Sequence, residues 1–193
     1  MELRHIALQL LAERNVERKV QGTLQLAEVW PAQKLELDAV TELEAGQDIP
    51  GQPQRPELVS PLQVKKRAMN TAEGRAILIH ALAHIEFNAI NLALDAIWRF
   101  AGMPQAYYED WFKVASEEAY HFSLLSTHLQ SLGYAYGDFP AHNSLWEMAE
   151  KTRGDVLARM ALVPRTMEAR GLDATPLIQR KLRQVGTADA LAH

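Results

Sequence analysis

Apolar residues in this chain recur three and four positions apart, the spacing of a buried helix face, and no segment alternates as a strand would. Leu8, Leu11, Val16, Val20, Leu24 and Ala27 form one such stripe. It predicts one or two short amphipathic helices over residues 1–28, broken near Asn15. Residues 29–72 change character. They hold Pro31, Gly46, Pro50, Gly51, Pro53, Pro56 and Pro61, a density of helix breakers that predicts a long ordered loop wrapping the rest. A linker between two domains is the competing reading, but residues 1–28 are too few to build a core alone.

Helical spacing returns near residue 72. One helix is expected over 72–101, stopped by Gly102 and Pro104, and a second over 105–132, stopped by Gly133. A third should start at Asn143 or Ser144, both plausible N-caps, and run to Gly171 with a kink at Pro164. Thr175-Pro176 reads as an N-cap followed by a proline at the first helical position, opening a last helix that reaches His193. The expectation is a single all-α domain over 1–193: N-terminal helices (1–28), a wrapping loop (29–72) and a helix bundle (72–193).

Composition narrows the chemistry. The 193 residues include no cysteine, which excludes disulfides, thiolate metal sites and cysteine nucleophiles and fits a reducing compartment. The formal charge of −4 gives no general attraction to nucleic-acid phosphates. The apolar run over 6–12 meets Glu13 and Arg14 at once, without a cleavage-site pattern. No apolar stretch is expected to reach the roughly 20 residues that span a bilayer. A soluble, cytoplasmic protein with no membrane partner is therefore expected.

Two helices carry candidate ligands. The face-mates of Glu86 are Ile79, Leu82, Ala83, Ala89, Ile90 and Ala93, all apolar. A carboxylate in that stripe must be neutralised, paired or bound to a cation. Arg99 and Arg165 are the candidate partners for a plain ion pair. The opposite face, His80, His84, Asn88, Asn91 and Asp95, reads as solvated or loop-contacting. On the next helix Glu118 shares a face with Trp111, Val114, Ala115, Phe122, Leu125 and Leu129, whereas Glu117 shares one with Asp110, Lys113, Tyr120 and His128. Glu118 and His121 should therefore point inward and Glu117 sit at the rim. An inward Glu-x-x-His is the half-site of bundle-type di-iron carboxylate proteins. The bland alternative is a surface i,i+3 pair. Glu168 reads on periodicity alone as a salt bridge to Arg165 or Arg170. Glu147 and Glu150 lie too far along the axis to share a metal with it, and Asp138 and His142 are at most outer groups.

Taken together, several runs resemble a known family. They include Arg55-Pro56-Glu57-Leu58-Val59, Gly74-Arg75, His84-Ile85-Glu86, Glu117-Glu118-Ala119-Tyr120-His121-Phe122, Tyr136-Gly137-Asp138-Phe139-Pro140-Ala141-His142, Leu145-Trp146-Glu147 and Glu168-Ala169-Arg170-Gly171-Leu172-Asp173. The chain resembles, over nearly its whole length, an uncharacterised bacterial family of ferritin-like proteins, domain-of-unknown-function family 455. More remotely, His84-Ile85-Glu86, Glu117-Glu118-x-x-His121-Phe122 and Glu168-Ala169-Arg170 are similar to motifs of the non-haem di-iron hydroxylases that act on a modified adenosine in tRNA. The resemblance implies a ferritin-like antiparallel four-helix bundle with Glu86, Glu118, His121 and Glu168 at ligand positions. The metal it implies is iron, as a di-iron pair, with manganese or zinc as alternatives. Such proteins carry a second Glu-x-x-His on the fourth helix. None occurs over 175–193, so the expectation is a truncated fourth helix, an incomplete second metal position and a tendency to form homo-oligomers. Three functions follow: an O2-dependent oxidoreductase acting on a small molecule or modified nucleoside, with RNA a partner only by that remote analogy; an iron-binding protein without turnover; or a metal-free helical interaction module.

Overall fold

The computed structural model describes residues 2–29, 36–46, 48–63 and 71–165. Their helices are α1 (Leu3–Ala12), α2 (Val16–Val29), α3 (Ala72–Arg99), α4 (Gln105–Ser131), α5 (Ser144–Lys151) and α6 (Val156–Met160), with one turn of 3-10 helix at Pro61–Gln63. Among the described residues there is no strand, only isolated bridges joining Glu2 to Glu36 and Leu58 to Ala141.

Local chemistry sets the boundaries. Glu2 caps α1 by accepting from the backbone N–H groups of Arg4 and His5. Asn15 stands at the break between α1 and α2, where its side-chain oxygen accepts from Arg18 N at 2.8 Å. Thr71 caps α3 through Gly74 N at 2.9 Å. Gly102, at φ +74°, turns the chain from α3 into α4.

The α3–α4 pair is antiparallel. Ala76 and Ile79 meet Leu129, Phe87 meets Phe122 with ring centroids 5.7 Å apart, and Tyr107 donates to the Ala96 carbonyl. Helix α1 packs against α3 through Leu3, Ala7 and Leu11, and α2 lies against α4. The proline-rich segment clasps these helices with its backbone: Gly51 N–H donates to Leu11 O at 2.8 Å, and Gly102 N–H to Ala39 O at 2.6 Å. A Cβ on Gly51 would stand 2.1 Å from the Ala12 carbonyl oxygen, so only glycine admits that approach.

Three expectations are corrected or decided. The third long helix is broken: α5 ends at Lys151, and Asp155 caps a new helix by accepting from Leu157 N and Ala158 N. Thr152, Gly154 and a capping aspartate are a stop followed by a start. Beyond Met160 the chain widens into a π turn at Ala161–Arg165, the step that contains Pro164, whose missing N–H cannot bond to the turn before it. Second, of the two readings of the polar face of α3 the solvated one fails and the loop-contacting one holds: His80, His84, Asn88, Asn91 and Asp95 are all buried, and the 134–142 loop meets His80 and His84. Third, the 28 residues of α3 are long and apolar enough to cross a membrane on length and composition. Most of that stretch is buried inside the fold, as in the core helix of a soluble protein. The helix expected from Thr175 lies outside the described residues.

Candidate metal centre

Contact between Phe87 and Phe122 fixes the level at which α3 and α4 face one another. Glu86 precedes the first ring, and His121 and, one turn before it, Glu118 precede the second. One ligand atom from each of Glu86, Glu118 and His121 lies within 4.8 Å of the others. Glu118 Oε2 and His121 Nδ1 are 3.3 Å apart. Glu86 is half-buried, the Glu118 side chain is 23% exposed and that of His121 51% exposed. The group is thus a shelf between two helices that opens to solvent on the histidine side, and His121 is less inward than the helical wheel implied. Glu117 sits at the rim, 54% exposed and 3.8 Å from Lys113 Nζ.

The electrostatics of the pair are unfavourable without a proton or cation. Burial, followed by the hydrogen bond and negative charge of Glu118, pushes the Glu86 carboxyl up to about 8. Two carboxylates this close cannot both ionise cheaply, so one proton is retained. A divalent cation would replace that proton and relieve the same repulsion. Two carboxylate oxygens and an imidazole nitrogen are donors suited to iron, manganese or zinc.

The arginine expected as a partner for Glu86 is engaged elsewhere. Arg99 binds Asp95, one turn below it on α3, at 2.6 Å. Glu168 and the side chain of Arg165 lie outside the described residues. Glu147 and Glu150 are exposed on α5. Asp138 accepts from Ala135 N in its own loop, and His142 meets His84, two residues and some 200° of helix away from Glu86.

The far side of α3 meets a loop, one of the two expected readings, but sequence reasoning missed that it is a buried polar seam reaching α2 and α6 as well. His80 Nε2 accepts from Gly137 N–H at 3.0 Å. His84 Nδ1 lies 2.8 Å from Tyr136 Oη, and its Nε2 lies 3.2 Å from the His142 carbonyl. The two neutral tautomers divide these contacts: with its proton on Nε2 the ring donates to the carbonyl and accepts from the tyrosine, and with its proton on Nδ1 it donates to the tyrosine and accepts from Asn88 Nδ2, 3.0 Å from Nε2. Burial holds both imidazoles down to about 4. Farther along, Lys19 Nζ donates to Asn91 Oδ1 at 2.6 Å and to Leu11 O at 3.0 Å, and Asp95 binds Arg159 of α6. The i,i+4 run His80, His84, Asn88 is visible in the sequence. Which loop and helix would cover it is not.

A family model described as protein of unknown function (DUF455) matches residues 12–193. An uncharacterized protein of Haemophilus influenzae is 52% identical over 159 residues, covering 79% of this chain and 55% of the relative. The chain thus spans about half the length of that curated relative. No solved structure matches it.

Proposed function

We propose a metal-binding function for this chain, which belongs to the family described as protein of unknown function (DUF455). The observation that carries it is the convergence of Glu86, Glu118 and His121 from two helices, with their ligand atoms within 4.8 Å. In this reading Glu86 and Glu118 supply charge, and His121 supplies a neutral nitrogen from the open side. Glu168 is a further ligand on the strength of the sequence resemblance. The fold is ferritin-like, the metal is iron and the setting is the cytoplasm, which suits a chain free of cysteine. Bound iron would supply the redox chemistry of an O2-dependent oxidoreductase. The chain's own residues hold the cation, and the Phe87–Phe122 contact keeps water from its inner side. A small molecule or modified nucleoside is the substrate class proposed.

The test is metal analysis of protein purified without chelator, then titration of the stripped protein with Fe2+, Mn2+ and Zn2+. At least one equivalent should bind, and Glu86→Gln should abolish tight uptake. Loss of added O2 by the iron-loaded protein then separates an oxidase from a passive binder. The raised pKa of Glu86 also favours a second reading, a metal-free pair that shares one proton. That reading gains if uptake is absent and Glu86 titrates near 8 in carboxyl NMR.

A further inference from the structure

The C-terminal end of α3 gathers more positive charge than its described neighbours neutralise. Asp95, fully buried, binds both Arg99 and Arg159 and accepts from Trp98 Nε1 at 3.2 Å. One negative charge faces two guanidiniums. A helix end normally offsets cations with its free carbonyls. Here the carbonyls of Ala96, Trp98 and Phe100 already accept from Tyr107 Oη, the buried Arg4 and Tyr108 Oη.

A cleft of about 380 Å3 opens at this end, lined by Glu42, Leu43, Trp98, Arg99, Phe100 and Arg153 among others. Arg99 is held rigidly: its Nε and Nη2 grip Asp95, and its guanidinium lies 4.7 Å from the Trp98 ring centroid. Its Nη1 has no acceptor among the described residues. Arg153 is exposed and makes no ion pair among the described residues. Half-buried Leu43 and Phe100 add apolar wall.

We propose that this cleft binds a small phosphate-bearing molecule, held by Arg99 and Arg153. Guanidinium forks match the tetrahedral oxyanion, and a pre-positioned one loses little freedom on binding. The apolar wall would take the organic part of a phosphate ester. Glu42, on the same cleft, opposes the anion and limits affinity. The site is independent of the metal centre: Arg99 lies about 20 Å along α3 from Glu86 at 1.5 Å per residue.

Isothermal titration of the full chain with inorganic phosphate, phenyl phosphate and benzoate tests this. Phenyl phosphate should bind saturably and more tightly than phosphate, with benzoate weaker by about tenfold. Arg153→Gln should weaken phenyl phosphate about tenfold with unchanged thermal stability, and Glu42→Gln should tighten it. Arg14→Gln, an exposed arginine elsewhere, should leave it unchanged. The proposal fails if no saturable binding occurs up to about 10 mM. It also fails if benzoate binds as tightly as phenyl phosphate, or if Arg153→Gln does no more than Arg14→Gln.

Discussion

Glu86→Gln should make the metal-free protein more stable at alkaline pH while removing its capacity for metal. In the folded chain the Glu86 carboxyl is held up to about 8, against 4.5 for an ordinary glutamate. Between those values the unfolded chain has lost the proton and the folded chain keeps it. Stability therefore falls as pH rises through this window, by up to about 1.4 kcal/mol per pH unit. Unscreened, the limit is about 5 kcal/mol. The shelf is open beside His121 and the proton is shared with Glu118, so about 1–2 kcal/mol is the realistic loss. Glutamine removes the titration and puts an amide N–H where the shared proton lay, still able to donate to Glu118. Urea unfolding in the presence of chelator, at pH 5 and pH 9, reads the effect. Lys19, His80 and His84, all held down by burial, raise stability over this range in both proteins, so the difference isolates Glu86: from pH 5 to pH 9 Glu86→Gln should gain about 1–2 kcal/mol relative to wild type. Equal pH dependence in the two proteins would refute the account of a proton trapped between two carboxylates.

Four further outcomes are expected. Glu118→Ala should weaken metal binding at least about tenfold while Glu117→Ala changes it little, measured by titration of stripped protein. Burial depresses the Lys19 ammonium to about 7 from 10.5, so the unfolded chain binds the extra proton and stability rises with pH across that window; in urea unfolding, Lys19→Met should abolish that rise. Gly137 sits at φ +104°, with the site of an added Cβ 2.9 Å from Arg55 Cβ. Gly137→Ala should therefore cost about 1–3 kcal/mol, seen as a lowered Tm. Asp95→Asn leaves Arg159 buried without a counter-charge and should cost about 3–5 kcal/mol by chemical denaturation.

Helices α3 and α4 and the convergence of Glu86, Glu118 and His121 were legible because each depends on one helix and its neighbour in sequence. Helical spacing placed Glu86 in an apolar stripe and separated Glu118 from Glu117, and a five-residue connection left α4 no choice but to fold back along α3. What was not legible depends on contacts between distant segments. Whether His80 and His84 face solvent or a loop is open in the sequence until the segment carrying Tyr136 and Gly137 is laid over them. Lys19 looks like a surface residue of an amphipathic helix until Asn91 and the Leu11 carbonyl receive it. The break at Thr152–Asp155 was readable locally, since Gly154 and Asp155 form a stop and a cap. There the apolar period running on beyond it outweighed the weaker turn signal.

The two polar faces of α3 bear on one another. On the metal-binding function proposed above, Glu86 can serve only if its helix cannot rotate or slide, because a displacement of about 1 Å or a rotation of about 20° takes its carboxylate out of position. Apolar packing alone permits such small slips, since one methyl-sized contact replaces another at little cost. Directional bonds do not. On the side away from Glu86, α3 is held by Gly137 N–H on His80, by Lys19 on Asn91 and by Arg159 on Asp95, each from a different segment of the chain. These fixings bracket Glu86: His80 lies six residues before it, Asn91 five after and Asp95 nine after. Sliding α3 would break buried hydrogen bonds at every one of them together, each costing about 1–3 kcal/mol or more where a charge is stranded. The seam thus gives Glu86 a fixed address against Glu118 and His121, and it explains why a helix with an apolar working face carries so many buried polar residues on its other side.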